Sequence, residues 1–121
     1  MDATKFTWSE IDEDNPIALL TRKCIKGERM LVAEVKLMKG CHVAQHHHES
    51  EQIAIMLSGK VVWGIGEAGS PEYRKVPLSG GEVMVLPSHV VHSVDVLEDS
   101  VIVDVLTPIG PMGVDSQGRI S

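Results

Sequence analysis

Residues 40–59, GCHVAQHHHESEQIAIMLSG, place three consecutive histidines shortly before an apolar run that ends at a glycine. Side chains alternate between the two faces of a β-strand. His46, His48 and Gln52 share one parity, so an uninterrupted strand would direct all three to the same face. His47 has the opposite parity and is predicted to point away. We therefore treat two histidines and the glutamine as one set, and His47 as a bystander.

A further imidazole, His92, comes much later in the chain, at the end of the stretch LPSHVVH. It can join His46 and His48 only if their strands pack side by side, as they would in a small barrel. Imidazole nitrogens bind zinc, iron, nickel, copper and manganese. A metal site is therefore one interpretation of these residues. The alternative is an exposed histidine-rich loop without a metal, because short histidine motifs also occur by chance.

The remainder of the chain alternates short apolar segments with turn residues. The segments are rich in valine and isoleucine and recur about every 8–12 residues, which is typical of a β-sandwich or barrel. Ser58-Gly59 predicts a tight hairpin. Glu98 and Asp99 predict a second turn, between HSVDVLE and SVIVDVLTP. TWSEIDED allows at most a turn or two of helix, so the predicted fold class is all-β.

One domain over residues 1–121 fits this length. We expect a barrel core at about residues 17–108 and a polar arm or edge strand at residues 1–16. The Gly/Pro-rich end of the chain, residues 109–121, is expected to lack regular structure. No linker or low-complexity segment divides the chain.

The composition of the chain indicates which classes of binding partner and which cellular location to expect. Apolar residues make up 43% of the chain, charged residues 23%, and the formal net charge is -6. The composition predicts a folded domain, and without a basic stripe we expect no nucleic-acid or membrane partner. The N-terminus lacks a signal-peptide pattern, and no apolar run approaches about 20 residues, so we expect a cytoplasmic protein. Cys24 and Cys41 are expected to be reduced thiols.

Two motifs in the chain resemble those of the cupin superfamily, in its small single-domain Cupin_2 form. The first has the pattern G-x5-H-x-H-x3/4-E-x6-G and is matched, with glutamine for glutamate, by Gly40, His46, His48, Gln52 and Gly59. The second has the pattern G-x5-P-x-G-x2-H-x3-N and is matched by Gly81, Pro87 and His92. His89 stands at its glycine position and Val96 at its asparagine position.

The resemblance implies a double-stranded β-helix, or jelly-roll barrel, with a metal in its mouth. It implies that His46, His48, Gln52 and His92 are the ligands of one divalent metal ion. The identity of the ion stays open among zinc, nickel, manganese and iron, because availability decides it as much as geometry. Histidine tolerates a positive φ better than most residues, so His89 is expected to be a turn residue.

Gln52 affects the chemistry that such an ion would support. A carboxamide oxygen and three neutral imidazoles leave a divalent ion with its full formal charge, which favours Lewis-acid chemistry. The same neutrality disfavours a ferric state. We therefore expect hydrolytic, isomerising, lyase-like or tautomerising chemistry. Oxygen chemistry on three histidines remains the alternative.

A longer stretch, from His46 to Pro108, resembles the small cupins of pectin degradation. Those proteins open unsaturated uronic acids to linear keto sugars and use three histidines and a glutamine on the metal. Their last strand carries Asp-x-Phe, followed four residues later by an arginine that would hold the substrate carboxylate. Asp104 matches the aspartate, whereas Leu106 and Gly110 replace the phenylalanine and the arginine. Arg74 or Lys36 could substitute for that arginine, although nothing in the sequence shows that they do.

Other residues are candidates for the pocket. Asp104 shares parity with its apolar neighbours Ile102 and Leu106, so it is a candidate general base or substrate anchor. An outward position on an edge strand is the alternative. Met56 shares parity with Gln52, and Trp63 lies on the next segment. Both are candidate substrate-binding residues, with core packing as the alternative.

The leading hypothesis is a metal-dependent enzyme that opens, isomerises or cleaves a sugar- or keto-acid-like substrate. An iron-dependent cupin dioxygenase is the second hypothesis, and a non-catalytic metal- or small-molecule-binding cupin is the third. Valine-rich strand edges need cover, so we also expect a homodimer.

Overall fold

The computed structural model describes residues 2–116 of the chain. These residues form antiparallel strands and two short 3₁₀ turns, Trp8–Glu10 and Gly113–Ser116. The strands are β1 (Asp14–Ile17), β2 (Leu20–Lys26), β3 (Leu31–Leu37), β4 (His42–His46), β5 (Glu51–Ile65), β6 (Arg74–Ser79), β7 (Val83–Leu86) and β8 (His92–Thr107). In the described part of the chain, no helix has both the length and the apolar character needed to cross a membrane.

The two long strands, β5 and β8, run side by side through two sheets. One sheet has the order β1-β2-β3-β8-β5-β7 and uses the second half of β8 and the first half of β5. The other has the order β4-β8-β5-β6 and uses the remaining halves. Buried side chains of both sheets form one continuous core. This arrangement is the predicted jelly-roll barrel.

Two predicted turns are wrong: β5 continues through Ser58-Gly59, and β8 continues through Glu98 and Asp99. The register between the two strands shifts between Met56 and Val61. Gly59 has a φ of 89°, and a Cβ there would overlap Ser100 and the carbonyl oxygen of Asp99. Register shifts of this kind bend a strand without reversing it. Ser58-Gly59 and Glu98-Asp99 therefore mark the bend at which β5 and β8 pass from one sheet to the other.

Alternation along each strand fills the core. In β3, the inward side chains are buried and those between them are more exposed, with Leu31, Ala33, Val35 and Leu37 on the inner face. Burial of each large apolar side chain contributes about 1.5–3 kcal/mol. The same alternation brings Ile102, Asp104 and Leu106 of β8 inward opposite β3. This pattern fixes which residues can reach the interior of the barrel.

Both ends of the chain contribute to the fold. β1 begins at Asp14, inside the predicted arm, and forms the edge of its sheet. After Thr107 the chain folds back over the barrel, where Met112 and Val114 are buried. Residues 109–112 form no helix or strand and Gly113–Ser116 form only a short 3₁₀ turn, but the buried side chains of this segment complete the core. Residues 117–121 of that segment lie outside the described residues.

The outer face of the first sheet carries an apolar row. Register places Val85, Ile53, Val105, Val32 and Ile25 side by side across β7, β5, β8, β3 and β2. Val85 is 55% exposed and Ile53 37% exposed. A continuous apolar row on a sheet surface is a feature of protein contact sites.

Candidate metal centre

Three imidazoles meet at one end of the barrel. His46 ends β4, His92 begins β8, and the two residues are paired in register. His48 lies in the loop that leads to β5. Each of the three histidines contributes one ring nitrogen, and these three nitrogens lie within 4.8 Å of one another. Strand pairing and a short loop therefore bring together residues that are far apart in sequence.

Backbone carbonyl groups fix the orientation of all three rings. Nδ1 of His46 lies 2.7 Å from the carbonyl oxygen of Ala44, and Nδ1 of His92 lies 2.7 Å from that of Val90. Nδ1 of His48 lies 2.8 Å from the carbonyl oxygen of Ser50. A carbonyl oxygen can only accept, so each Nδ1 carries the proton and donates it. Each Nε2 is left with a lone pair, which is the usual arrangement of metal-binding histidines.

Gln52 provides the test of whether a cation fits the site. Its Nε2 donates to Oδ1 of Asp104 at 2.9 Å, which turns its Oε1 toward His48. Oε1 lies 3.1 Å from Nε2 of His48. Both atoms are acceptors in this arrangement, so neither can satisfy the other. A cation bound by both acceptors would relieve this opposition, and adjacent ligands at about 2.1 Å from an octahedral ion lie at about this separation.

Burial sets the protonation states at the site. It lowers the pKa of His92 to about 4, although the hydrogen bond with Val90 opposes the shift. Burial also lowers the pKa of His46. Both imidazoles are therefore neutral at pH 7, the form that binds a metal. Burial raises the pKa of Asp104 to about 6, and the hydrogen bond from Gln52 opposes that rise.

A cavity of about 50 Å³ adjoins the histidines inside the barrel. Its polar lining comes from Arg22, His46, Gln52, His92 and Asp104. Its remaining lining is mostly apolar, from Leu20, Val35, Leu37, Val43, Trp63, Val94, Ile102, Met112, Gly113 and Val114. Trp63 is only 3% exposed, and its Nε1 is the one buried side-chain nitrogen or oxygen without a hydrogen-bond partner in residues 2–116. Such an unpaired donor commonly marks a position that a ligand or water completes.

The structure separates the predicted site residues into three groups. His46, His48, Gln52 and His92 lie together, and Asp104 and Trp63 line the adjoining cavity. Asp104 lies on β8 between β3 and β5, which excludes the outward position on an edge strand. Met56 is buried in the core and is not part of the cavity lining, which favours a packing role.

Four further polar residues named in the sequence analysis do not line the cavity. His47 is exposed. His89 has a φ of 66° and occupies a turn, as predicted, and its N–H donates to the carbonyl oxygen of His48 at 2.8 Å. Arg74 and Lys36, the proposed substitutes for a missing arginine, are exposed and do not line the cavity.

Sequence reasoning missed Arg22, the arginine that does line the cavity. A signal for it exists, because Arg22 shares parity with Leu20, a buried residue of the same strand. An arginine at an inward position of an apolar strand marks a residue with a partner in the interior.

The Cupin_2 family, described as a cupin domain, matches residues 33–107, which is more than half of the chain. The chain is a cupin. The match begins in β3 and ends at the last residue of β8, so it includes every histidine and glutamine of the metal centre. No curated protein matches the chain significantly.

Solved cupin structures share the fold over most of this chain. KdgF from Halomonas sp. is 26% identical, with a TM-score of 0.76, over 88% of this chain and 96% of that chain. An RmlC-like cupin from Shewanella frigidimarina is 15% identical, with a TM-score of 0.76, over 90% and 93% of the two chains. Oxalate decarboxylase from Bacillus subtilis is 17% identical, with a TM-score of 0.80, over 93% of this chain but 31% of its own. At these last two identities, the likeness describes the fold alone.

Proposed function

We propose that this cupin is a metal-dependent isomerase that opens the ring of an unsaturated uronic acid or a closely related sugar acid. The observation that carries the proposal is the opposition of two acceptors, Oε1 of Gln52 and Nε2 of His48, at 3.1 Å. The likeness to KdgF and the sequence resemblance to the pectin-degradation cupins support the substrate class.

His46, His48, Gln52 and His92 would hold one divalent ion. Such an ion supplies a Lewis acid that polarises a hydroxyl or carbonyl oxygen of a substrate. All four side chains are neutral as ligands, since Gln52 offers an amide oxygen and the imidazoles keep their Nδ1 protons. The protein therefore leaves the full positive charge at the site available to the substrate.

Asp104 is the residue placed to move a proton. It is buried in the cavity lining, and its Oδ1 is fixed by the amide of Gln52. Because burial raises its pKa to about 6, its two protonation states are both accessible near neutral pH. Effective proton-transfer groups have pKa values near the working pH. We assign Asp104 the role of general base and acid.

The reaction balances without a co-reactant. Asp104 removes the proton from the C1 hydroxyl of the cyclic uronate. The bond between C1 and the ring oxygen breaks, its electron pair stays on that oxygen, and C1 becomes an aldehyde. The enolate left at C5 takes a proton at C4 and becomes a ketone. One proton leaves and one returns, so the product is an isomer, and a single carboxyl group can serve both steps.

Trp63 is proposed to position the substrate. Its indole lines the cavity beside His92, with the two ring centroids 5.9 Å apart. Its buried Nε1–H has no protein partner among the described residues. A hydroxyl or carboxylate oxygen of a sugar acid would satisfy this donor, and the indole face would pack on the sugar ring.

The test is a turnover assay with an unsaturated uronate prepared by lyase cleavage of polygalacturonate. Loss of the conjugated C4=C5 absorbance, and formation of the keto-aldehyde, should require metal-loaded protein and disappear after chelation. His47→Ala provides a matched control, because His47 is exposed and adjacent in sequence to two ligands. Oxygen consumption during turnover would support the dioxygenase instead. Binding of the uronate without turnover would support a binding protein.

A further inference from the structure

Arg22 is a feature of the cavity that the proposed reaction does not use. It lies on β2 and lines the same cavity as His92 and Asp104. Its side chain is only 11% exposed. Of the cavity-lining residues in the described part of the chain, it is the only lysine or arginine. A guanidinium in such a position is costly unless carboxylates compensate its charge.

Two carboxylates provide that compensation. Asp14, its neighbour on β1, accepts from Nε of Arg22 at 3.0 Å and from Nη2 at 3.1 Å. Asp115, from the opposite end of the chain, accepts from Nη2 at 2.5 Å. Burial lowers the pKa of Arg22, but the hydrogen bonds to Asp115 and Asp14 raise it and prevail. The guanidinium therefore stays charged and hydrogen-bonds both carboxylates.

Asp115 belongs to the segment that closes the cavity. Its carboxylate also accepts from the N–H of Met112 at 2.8 Å, and its own N–H donates to the carbonyl oxygen of Met112 at 2.9 Å. Met112, Gly113 and Val114 then form part of the cavity lining. Gly113 packs so closely on His46 that a Cβ would overlap the imidazole ring. The ion pair between Arg22 and Asp115 thus holds this segment against the metal centre.

The closed cavity is too small for a sugar acid. Its volume is about 50 Å³, which is room for only a few water molecules. Sites for small-molecule ligands are typically about 300–1,000 Å³. Met112, Gly113 and Val114 form part of the lining of this small cavity, so an outward movement of residues 112–115 would make room for a sugar-sized ligand. That movement takes the carboxylate of Asp115 from Arg22.

We propose that Arg22 binds a carboxylate of the ligand in exchange for Asp115, which acts as an internal competitor for the same guanidinium. A ligand carboxylate restores the compensation that Arg22 loses, with the paired geometry that guanidinium groups favour. A neutral sugar leaves Arg22 with Asp14 alone and is disfavoured. The exchange therefore selects anionic ligands. The inference rests on the proposed function, because it requires a small molecule to enter this cavity.

The experiment compares two probes that differ in charge, D-glucuronate and D-glucose, by calorimetric titration of the zinc-loaded, full-length protein. The wild-type protein should bind glucuronate at least about tenfold more tightly than glucose, since hydrogen bonds to charged groups contribute that much. Asp115→Asn should raise the preference for glucuronate by about tenfold or more, because the competitor is removed. Arg22→Gln should abolish the preference. Asp12→Asn and Arg74→Gln, both at exposed positions, are matched controls and should change nothing.

Equal binding of the two sugars, or a preference unaffected by Asp115→Asn, overturns the inference. Arg22→Lys supplements Arg22→Gln, because it retains the charge and loses the paired geometry, and it should reduce the preference. Hydrogen exchange gives a second readout. Glucuronate should speed exchange of the Asp115 amide and glucose should not, whereas an ion pair with a purely structural role would respond to neither sugar. The turnover assay separates the two proposals. Exchange without turnover contradicts the proposed function alone, whereas turnover without a carboxylate preference contradicts this inference alone.

Discussion

Replacement of Gln52 by glutamate tests how the metal centre and the proton-transfer residue depend on each other. The amide of Gln52 has two functions, since its oxygen faces His48 and its nitrogen donates to Asp104 at 2.9 Å. A glutamate keeps an oxygen for the metal and adds a negative charge there. It also replaces the donor with a second carboxylate oxygen next to Asp104.

The magnitude follows from that distance. Two unit charges 2.9 Å apart repel by about 6 kcal/mol at an effective dielectric constant of 20. This repulsion equals about four pKa units, so one carboxyl group will keep a proton at neutral pH. Asp104 then cannot accept the substrate proton freely. General acid–base catalysis contributes about 10²–10⁴-fold, and we expect turnover to fall by at least about 10²-fold.

Metal content should stay at one equivalent in Gln52→Glu, because the added charge attracts a cation. Metal analysis and turnover of the unsaturated uronate are measured on the same preparation. Glu51→Gln, at the exposed neighbouring position, is the control for a change of charge and should retain full activity. Full or increased activity of Gln52→Glu would refute the argument and favour oxygen chemistry. Loss of metal together with activity would show that the amide has a structural role.

Four further predictions concern separate parts of the molecule. His92→Ala should lose stoichiometric metal by elemental analysis, whereas His47→Ala should retain it. His92, unlike His47, directs a ring nitrogen into the histidine cluster. Trp63→Phe should raise KM for the uronate by about three- to tenfold and leave metal content unchanged, because it removes one hydrogen-bond donor. Burial raises the pKa of Cys41 above its ordinary value of 9.0, so the stability gained by keeping this thiol protonated is fully present below about pH 9 and is lost as the pH rises through the higher pKa of the folded state. Denaturant titrations from pH 8 upward measure this loss. The chain should sediment as a homodimer at micromolar concentration, and Val85→Lys, in the apolar outer row, should shift it to monomer.

Much of the candidate site follows from spacing. The shared parity of His46, His48 and Gln52 predicts their convergence, even though β4 ends at His46 and His48 lies in a loop. The side chains converge all the same, because His46 pairs with His92 and Nε2 of His48 lies 3.1 Å from Oε1 of Gln52. The same alternation allows Asp104 either an inward or an outward position, and the structure shows it buried among the inward residues of β8.

Other features depend on contacts that no local pattern encodes. Ser58-Gly59 has the composition of a hairpin, but the close approach of Ser100 makes it a bend within one strand. The role of residues 112–115 depends on Arg22, which is 93 residues away from Asp115. The Gly/Pro-rich composition of residues 109–121 gives no sign that part of this segment covers a cavity. Contacts between residues so far apart in sequence can be identified only from the three-dimensional structure.

The central claim is that three imidazoles and one amide oxygen hold a single ion. Anomalous X-ray diffraction from crystals grown with zinc tests it most directly. We expect one strong peak, about 2.0–2.4 Å from Nε2 of His46, His48 and His92 and from Oε1 of Gln52. No peak at this position, or a peak held by His47 and His89 at the surface, would contradict it.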